Sequence, residues 1–256
     1  MIIKQEINYF KYSVLIILSF LLVLPVLAQA GLDSDKDGVP DEDEINIYQT
    51  DPLKADTDGD GYNDWQELNN GFSPHNPESV KLEDNDTDGD GLSDRMELNF
   101  HTDLNNFDTD GDGYKDGEEI ADGYNPSDPK PGAKLTKKIE INTGQEQKLY
   151  YFLGDVRMGE FKISSGKASM ATPKGNFKID GKALRAWSKY GLWMPYWLSL
   201  KHGYFGIHEL PEWPNGTKEG ANHLGHPVSH GCIRLGVGPA EFLYNWAPIG
   251  TPVKIY

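Results

Sequence analysis

The sequence predicts two unlike modules: an irregular loop-repeat array, then a mainly β domain, β-sandwich-like with short helices. Three observations carry this. Charge divides the chain: residues 31–130 hold 30 acidic and 6 basic side chains, whereas residues 131–256 hold 9 acidic and 16 basic, an asymmetry that implies modules with different partners. Four twelve-residue windows in the acidic half align without gaps. The basic half is made of short apolar or alternating runs between Gly, Asn and Pro turns, the pattern of a strand-rich core.

Taken in order, residues 1–30 read as a secretory signal. Lys4 and Lys11 precede an apolar run from Tyr12 to Leu27, and Ala28-Gln29-Ala30 supplies small residues before a cut. The run is shorter than the roughly 20 residues of a membrane span. The expectation is an exported protein of the periplasm or the cell wall and exterior, meeting the membrane only through the transient signal.

Residues 31–130 hold the four windows, starting at Asp33, Asp56, Asp86 and Asp108. The first, third and fifth positions are Asp33, Asp35 and Asp37; Asp56, Asp58 and Asp60; Asp86, Asp88 and Asp90; Asp108, Asp110 and Asp112. The ninth is Asp41, Asp64, Asp94 or Asp116, and the twelfth Glu44, Glu67, Glu97 or Glu119. Gly38, Gly61, Gly91 and Gly113 hold the sixth place, followed by Val39, Tyr62, Leu92 and Tyr114. Alternating carboxylates, a carbonyl from the seventh residue and a terminal bidentate Glu are the oxygen set that calcium, a hard cation, requires. An acidic tail does not explain the fixed Gly and Glu. Loops 23, 30 and 22 residues apart leave no room for two full helices between them, so short helical turns at 65–68 and 95–98 are expected instead of paired EF-hands. This half resembles the bacterial thrombospondin type 3 repeats, which implies a structural calcium-binding stalk or adhesion module.

Asn125-Pro126-Ser127-Asp128-Pro129-Lys130-Pro131-Gly132 is turn-forming, and residues 131–136 read as a linker to a domain over 137–256. Strands are expected at 138–142, 148–153, 159–164, 177–179, 204–208 and 252–256, with a helix over 239–246. The aromatic segment 187–204 reads as core.

Chemistry concentrates around Cys232, the chain's one cysteine. With no intramolecular partner it reads as a nucleophile, and flanking cations are expected to favour its thiolate. Its run is Ser229-His230-Gly231-Cys232-Ile233-Arg234. Upstream lie Ser164-Ser165-Gly166, Thr172-Pro173-Lys174-Gly175-Asn176-Phe177 and Gly206-Ile207-His208. Acyl transfer needs a base, for which His208 is the candidate, and an oxyanion site, for which the Gly231 and Cys232 amides are candidates. Arg234 suits a substrate carboxylate.

These motifs, in this order, resemble the L,D-transpeptidase catalytic domain of the YkuD type. The resemblance implies a β-rich fold and a cysteine thioester on peptidoglycan stem peptides that forms 3–3 cross-links with no catalytic cofactor. It also implies that His230 holds the site by a hydrogen bond, with Ser229 supporting it. Water as acceptor implies L,D-carboxypeptidase trimming; an inert domain implies a calcium-dependent adhesin. Partners are peptidoglycan stems, calcium and other envelope components, not nucleic acid. Two departures stand out: Glu209-Leu210-Pro211 follows the histidine where many relatives have a Gly soon after it, and the gap from His208 to Cys232 is longer than in compact relatives, so that its Trp213-Pro214-Asn215-Gly216 stretch reads as an active-site flap.

Overall fold

The computed structural model describes residues 31–256; the secretory signal read in residues 1–30 lies outside the described residues. Each acidic loop runs into one short helix: α1 (Asp41–Asp43), continued by a π-turn at Glu44–Tyr48, then α2 (Asp64–Asn70), α3 (Asp94–Phe100) and α4 (Asp116–Asp122). Helix α2 opens on a capping box between Asn63 and Gln66, which satisfies two otherwise orphaned amides. Helices α2 and α4 end on Gly71 and Gly123 in the left-handed region, where a missing Cβ removes the steric penalty.

The loops pair. The Asp37 carboxylate accepts from the Trp65 amide at 3.0 Å, tying loop one to α2. Asp90 accepts from the Gly117 amide at 2.7 Å, tying loop three to α4. A Cβ on Gly117 would lie 2.8 Å from the Asp90 carbonyl, so this approach requires glycine. Gln49 reaches the Leu104 amide at 3.3 Å, and His75 Nε2 lies 2.8 Å from the Tyr48 carbonyl. The array therefore folds back on itself rather than running out as a stalk.

The second half contains β1 (Lys137–Asn142), β2 (Lys148–Leu153), β3 (Val156–Ser164), β4 (Gly175–Trp187), β5 (Trp193–Leu200), β6 (Phe205–Glu209), β7 (Ile233–Leu235) and β8 (Pro252–Ile255), with α5 (Pro239–Trp246) before β8. Mainly β is the observed class. The strands close into a barrel in the order β1-β2-β3-β7-β6-β5-β4-β8. The sandwich-like character survives because β3 and β4 each pair in both halves: β3 with β2 and β7, β4 with β8 and β5. Ile139, Ile141, Leu149, Ile163, Ile179, Leu198, Leu200, Ile207, Ile233 and Val253 fill the interior, and α5 adds Ala240 and Leu243. In segment 187–204 the core positions are Leu198 and Leu200, while Trp187 and Tyr204 are exposed. The core reading therefore holds for the leucines of that segment and not for its outer aromatics.

Residues 131–136 are not a free tether. The Asn125 amide bonds the Ala133 carbonyl, Leu135 bonds Gly123, and Gly154 bonds Thr136, all at 2.8–3.0 Å. A second apolar cluster buries Leu92, Ile120 and Leu153, flanked by Met96, Phe100, Leu135 and Met158. It joins α3 and α4 to the β2–β3 hairpin, so the array and the barrel share packed surface.

Candidate functional site

The acidic loops are built for a cation. In each, the first Asp accepts from the amides of the fourth and sixth residues; Asp86, for example, takes Gly89 and Gly91 at 2.9 and 3.0 Å. The fifth Asp accepts from the seventh amide, as Asp90 does from Leu92 at 2.6 Å. These turns bring the first, third and fifth carboxylates of every loop within 4.8 Å of one another. Asp35, Asp58, Asp88 and Asp110 each keep one buried oxygen without a partner, as do Glu44 and Glu119; Glu67 and Glu97 keep two. Burial, then the neighbouring aspartates, push Glu67 up to about 8 and Glu97 to about 9. Buried oxygens lacking a hydrogen bond and repelling one another are what a hard divalent cation resolves, so the residues fit calcium.

The ninth-position aspartates depart from the expected ligand set. Asp41, Asp64, Asp94 and Asp116 each give both oxygens to the residue at position two: Ser34, Thr57, Thr87 or Thr109. They open the helices, so their side chains reach back across the loop and brace it instead of facing the ion. The hydroxyl residue at position two of every window was the signal for this.

The thiol lies in the barrel wall. Parallel pairing sets Ile207 opposite Ile233 and His208 opposite Arg234. Strand alternation sends the two isoleucines into the core and leaves Gly206, His208, Cys232 and Arg234 sharing the other face. A Cβ on Gly206 would meet the Leu198 carbonyl at 2.4 Å and the Trp197 ring at 2.7 Å. Trp197 uses that space and stacks on His208, with ring centroids 5.8 Å apart. The Gly206 amide favours the charged form of the Cys232 sulfur.

His208 is 2% exposed, and its Nδ1 lies 2.5 Å from the Glu209 carbonyl. A carbonyl only accepts, so Nδ1 carries the proton and Nε2 keeps the lone pair of a base. Burial, reinforced by Arg234, pushes the imidazole down to about 4 against the pull of that carbonyl. Burial also pushes the Cys232 thiol up, only partly offset by the Gly206 amide and Arg234. The expected thiolate is therefore corrected: desolvation outweighs the nearby cation and favours a neutral thiol beside a neutral imidazole.

Ser229, Gly231 and His230 take roles other than those expected. Ser229 Oγ donates to the Cys232 carbonyl at 2.5 Å and accepts from the Gly231 amide at 3.1 Å, so it braces the turn that carries Cys232 and not a histidine. The Gly231 amide is thereby occupied and not free for an oxyanion. Gly231 serves through its backbone, with φ 114. His230 is exposed and lies against Tyr190, centroids 4.4 Å apart, with no hydrogen bond among the described residues. Arg234 is buried, its guanidinium 3.6 Å from Glu219.

The upstream motif holds this turn in place. The Ser229 amide bonds the Ser165 carbonyl at 2.9 Å and the Lys167 amide bonds the Ser229 carbonyl at 3.0 Å. Gly166 donates to Thr172 Oγ1, and Ser165 to the Gln147 side chain, both at 2.8 Å. Gln147, Trp197 and the Glu209 carbonyl escaped sequence reasoning. Only the Gly-x-His spacing of 206–208, which puts both residues on one strand face, pointed toward them.

Residues 136–255 match the L,D-transpeptidase catalytic domain, YkuD. Residues 33–55, 56–71, 86–103 and 108–129 match the bacterial TSP3 repeat. Residues 136–255 are thus similar to an L,D-transpeptidase catalytic domain and the acidic half to bacterial TSP3 repeats. It is 35% identical over 125 residues to YciB of Bacillus subtilis (strain 168), provisionally named an L,D-transpeptidase, a match covering 46% of this chain and 64% of YciB. YkuD of the same strain, named likewise, is 35% identical over 98 residues, 38% of this chain and 53% of its own length. Each match spans less than two thirds of the relative. A crystal structure of an L,D-transpeptidase from Stackebrandtia nassauensis is 27% identical with TM-score 0.41, covering 48% of this chain and 57% of that one. An L,D-transpeptidase from Mycobacterium smegmatis is 18% identical with TM-score 0.42, covering 48% and 59%.

Proposed function

We propose that this protein is an exported L,D-transpeptidase that forms 3–3 cross-links between peptidoglycan stem peptides through a thioester on Cys232. The observation that carries the reading is one strand face holding a lone thiol and a buried histidine with a fixed tautomer. Cys232 Sγ attacks the L,D amide carbonyl while its proton passes to His208 Nε2. The tetrahedral oxyanion is held by the Cys232 amide. Collapse breaks the C–N bond, and the departing D-amino acid takes the proton from His208. An amine of a second stem then attacks the thioester, giving its proton to His208, and the thiol is restored as the new amide forms. Neutral partners suit this cycle, because no charge has to be removed before the proton moves. Arg234 is assigned to a stem carboxylate, and Glu219 occupies it in the absence of substrate.

The first, third and fifth aspartates with the terminal Glu of each loop would hold calcium, which supplies charge neutralisation and takes no part in acyl transfer. The test is mass spectrometry of products from purified tetrapeptide stems. The wild type is expected to release the terminal D-residue and yield a cross-linked dimer, and Cys232→Ala neither. Release without dimer makes it a carboxypeptidase; equal inactivity of both proteins removes the enzymatic reading in favour of an adhesin.

A further inference from the structure

We propose that Lys218, on the flap between β6 and β7, is a positioning residue for His208 that acts through the buried carboxylate of Glu209. Glu209 is held at both ends. Its carbonyl receives the His208 Nδ1 proton, while its carboxylate, on a side chain only 4% exposed, is ion-paired with the Lys218 ammonium. The same ammonium lies 2.8 Å from Glu212 Oε2. Glu212 is fixed in turn: Oε1 sits 2.5 Å from Arg185 on β4, and its amide and carbonyl both bond Trp193 at 2.9 Å. The flap is thus anchored to β4 and β5, and through Lys218 it grips the residue that sets the histidine's tautomer.

The chemistry of burial makes the grip consequential. A carboxylate removed from water and deprived of its cation either takes up a proton or turns outward to solvent. Either change releases the side-chain end of Glu209 and leaves the carbonyl that fixes Nδ1–H held from one side only, by the Leu210 amide of the same peptide unit on the Leu235 carbonyl at 2.9 Å. A base whose orienting acceptor has drifted presents the wrong nitrogen to the thiol part of the time.

The inference rests on the acyl-transfer reading of Cys232 and His208, and its test separates the two. The full chain, with calcium present, is prepared as wild type, Lys218→Met, Lys218→Arg, Glu209→Gln and the Glu209→Gln/Lys218→Met double variant. Nitrogen NMR of the imidazoles, which needs no substrate, reads the His208 tautomer. Turnover of a tetrapeptide stem reads kcat and KM. Lys218→Met is expected to mix the tautomer signature and lower kcat roughly ten- to a hundredfold, a part of a general base's contribution. KM should stay within about twofold, since substrate contacts are untouched. Lys218→Arg should restore most of the loss. The double variant should be no worse than Glu209→Gln alone, because a neutral amide has no need of the cation. A pure Nδ1–H signature and wild-type kcat in Lys218→Met overturn the proposal, as does a double variant as impaired as the two single losses combined. If Lys218→Met lowers the folded fraction, the comparison of Glu209→Gln with the double variant decides. A wild type that turns over no stem defeats the transpeptidase reading, while the tautomer readout still judges Lys218.

Discussion

Truncating Leu153 to alanine tests whether the acidic array and the barrel are energetically one unit. Leu153 ends β2, is 2% exposed, and packs with Leu92 and Ile120 where α3 and α4 meet the β2–β3 hairpin. Leu92 is also the seventh residue of the third loop, so the main chain expected to face the cation and the side chain facing the barrel belong to one residue. Removing so buried a leucine costs about 3 kcal/mol, within a usual range of about 2–5. Calcium at about a hundred times its dissociation constant stabilises a site by about 2.7 kcal/mol. A unit of this size shifts its melting temperature by about 2–4 °C per kcal/mol. Filling one docked loop should therefore raise the melting temperature of the barrel by roughly 5–11 °C. Tryptophan fluorescence reads the barrel, because Trp187, Trp193, Trp197, Trp213 and Trp246 all lie there and only Trp65 lies in the array. In Leu153→Ala the barrel should melt lower in calcium, and its calcium-induced rise should shrink to less than about half, as the shared contact carries the linkage. A rise of undiminished size in the variant, or no rise in the wild type, refutes the reasoning.

Other outcomes follow from the same geometry. Because burial holds His208 near 4, the base stays neutral as pH falls past the ordinary imidazole value of about 6.5; the acid limb of kcat/KM should lie below about pH 5, and a midpoint near 6.5 contradicts a buried base. Gly206→Ala places a methyl 2.4 Å from the Leu198 carbonyl and should cost about 1–3 kcal/mol in urea unfolding while displacing Trp197 from His208; unchanged stability denies the close packing. Glu97→Gln weakens the third loop, so calorimetric titration should lose one calcium relative to the wild type, and an unchanged stoichiometry removes Glu97 from the ligands. The fragment 133–256 contains no calcium loop and should remain active in chelator, yet melt lower than the full chain because Leu135, Leu153 and Met158 lose their cover; inactivity of the folded fragment contradicts a self-contained site.

Much of this was legible in the sequence, and the limits are physical. The four loops were plain because calcium demands oxygen at fixed intervals, which leaves a one-dimensional trace. The ninth aspartate was misassigned because Asp serves equally as ligand and as acceptor for a hydroxyl across the loop; only the fold shows which hydroxyl is in reach. Strand β7 is three residues long, too short for a periodic signal, and it exists because β3 and β6 flank it. Cys232 and His208 stood out by type and order. Their protonation did not, since adjacent cations are visible in sequence whereas desolvation is a property of everything packed around the sulfur. The Glu209–Lys218 pair spans nine residues of irregular chain, where no periodicity links partners. The packing of the linker was hidden for a related reason: Pro and Gly mark turns but do not say whether the turns are packed against a neighbour.

The half-buried setting of Cys232 also bears on how long its thiol lasts. Peroxides attack the thiolate and largely spare the thiol, so the desolvation that holds the sulfur protonated shields it between turnovers. That protection matters because the chain has no second cysteine to condense with a sulfenic acid and return it through a disulfide. Any oxidation that does occur is therefore prone to run on to forms that are not readily reversed. If Cys232 is the nucleophile of the proposed acyl transfer, the packing that favours its neutral thiol would lengthen the working life of a sulfur that no second cysteine of the sequence can rescue.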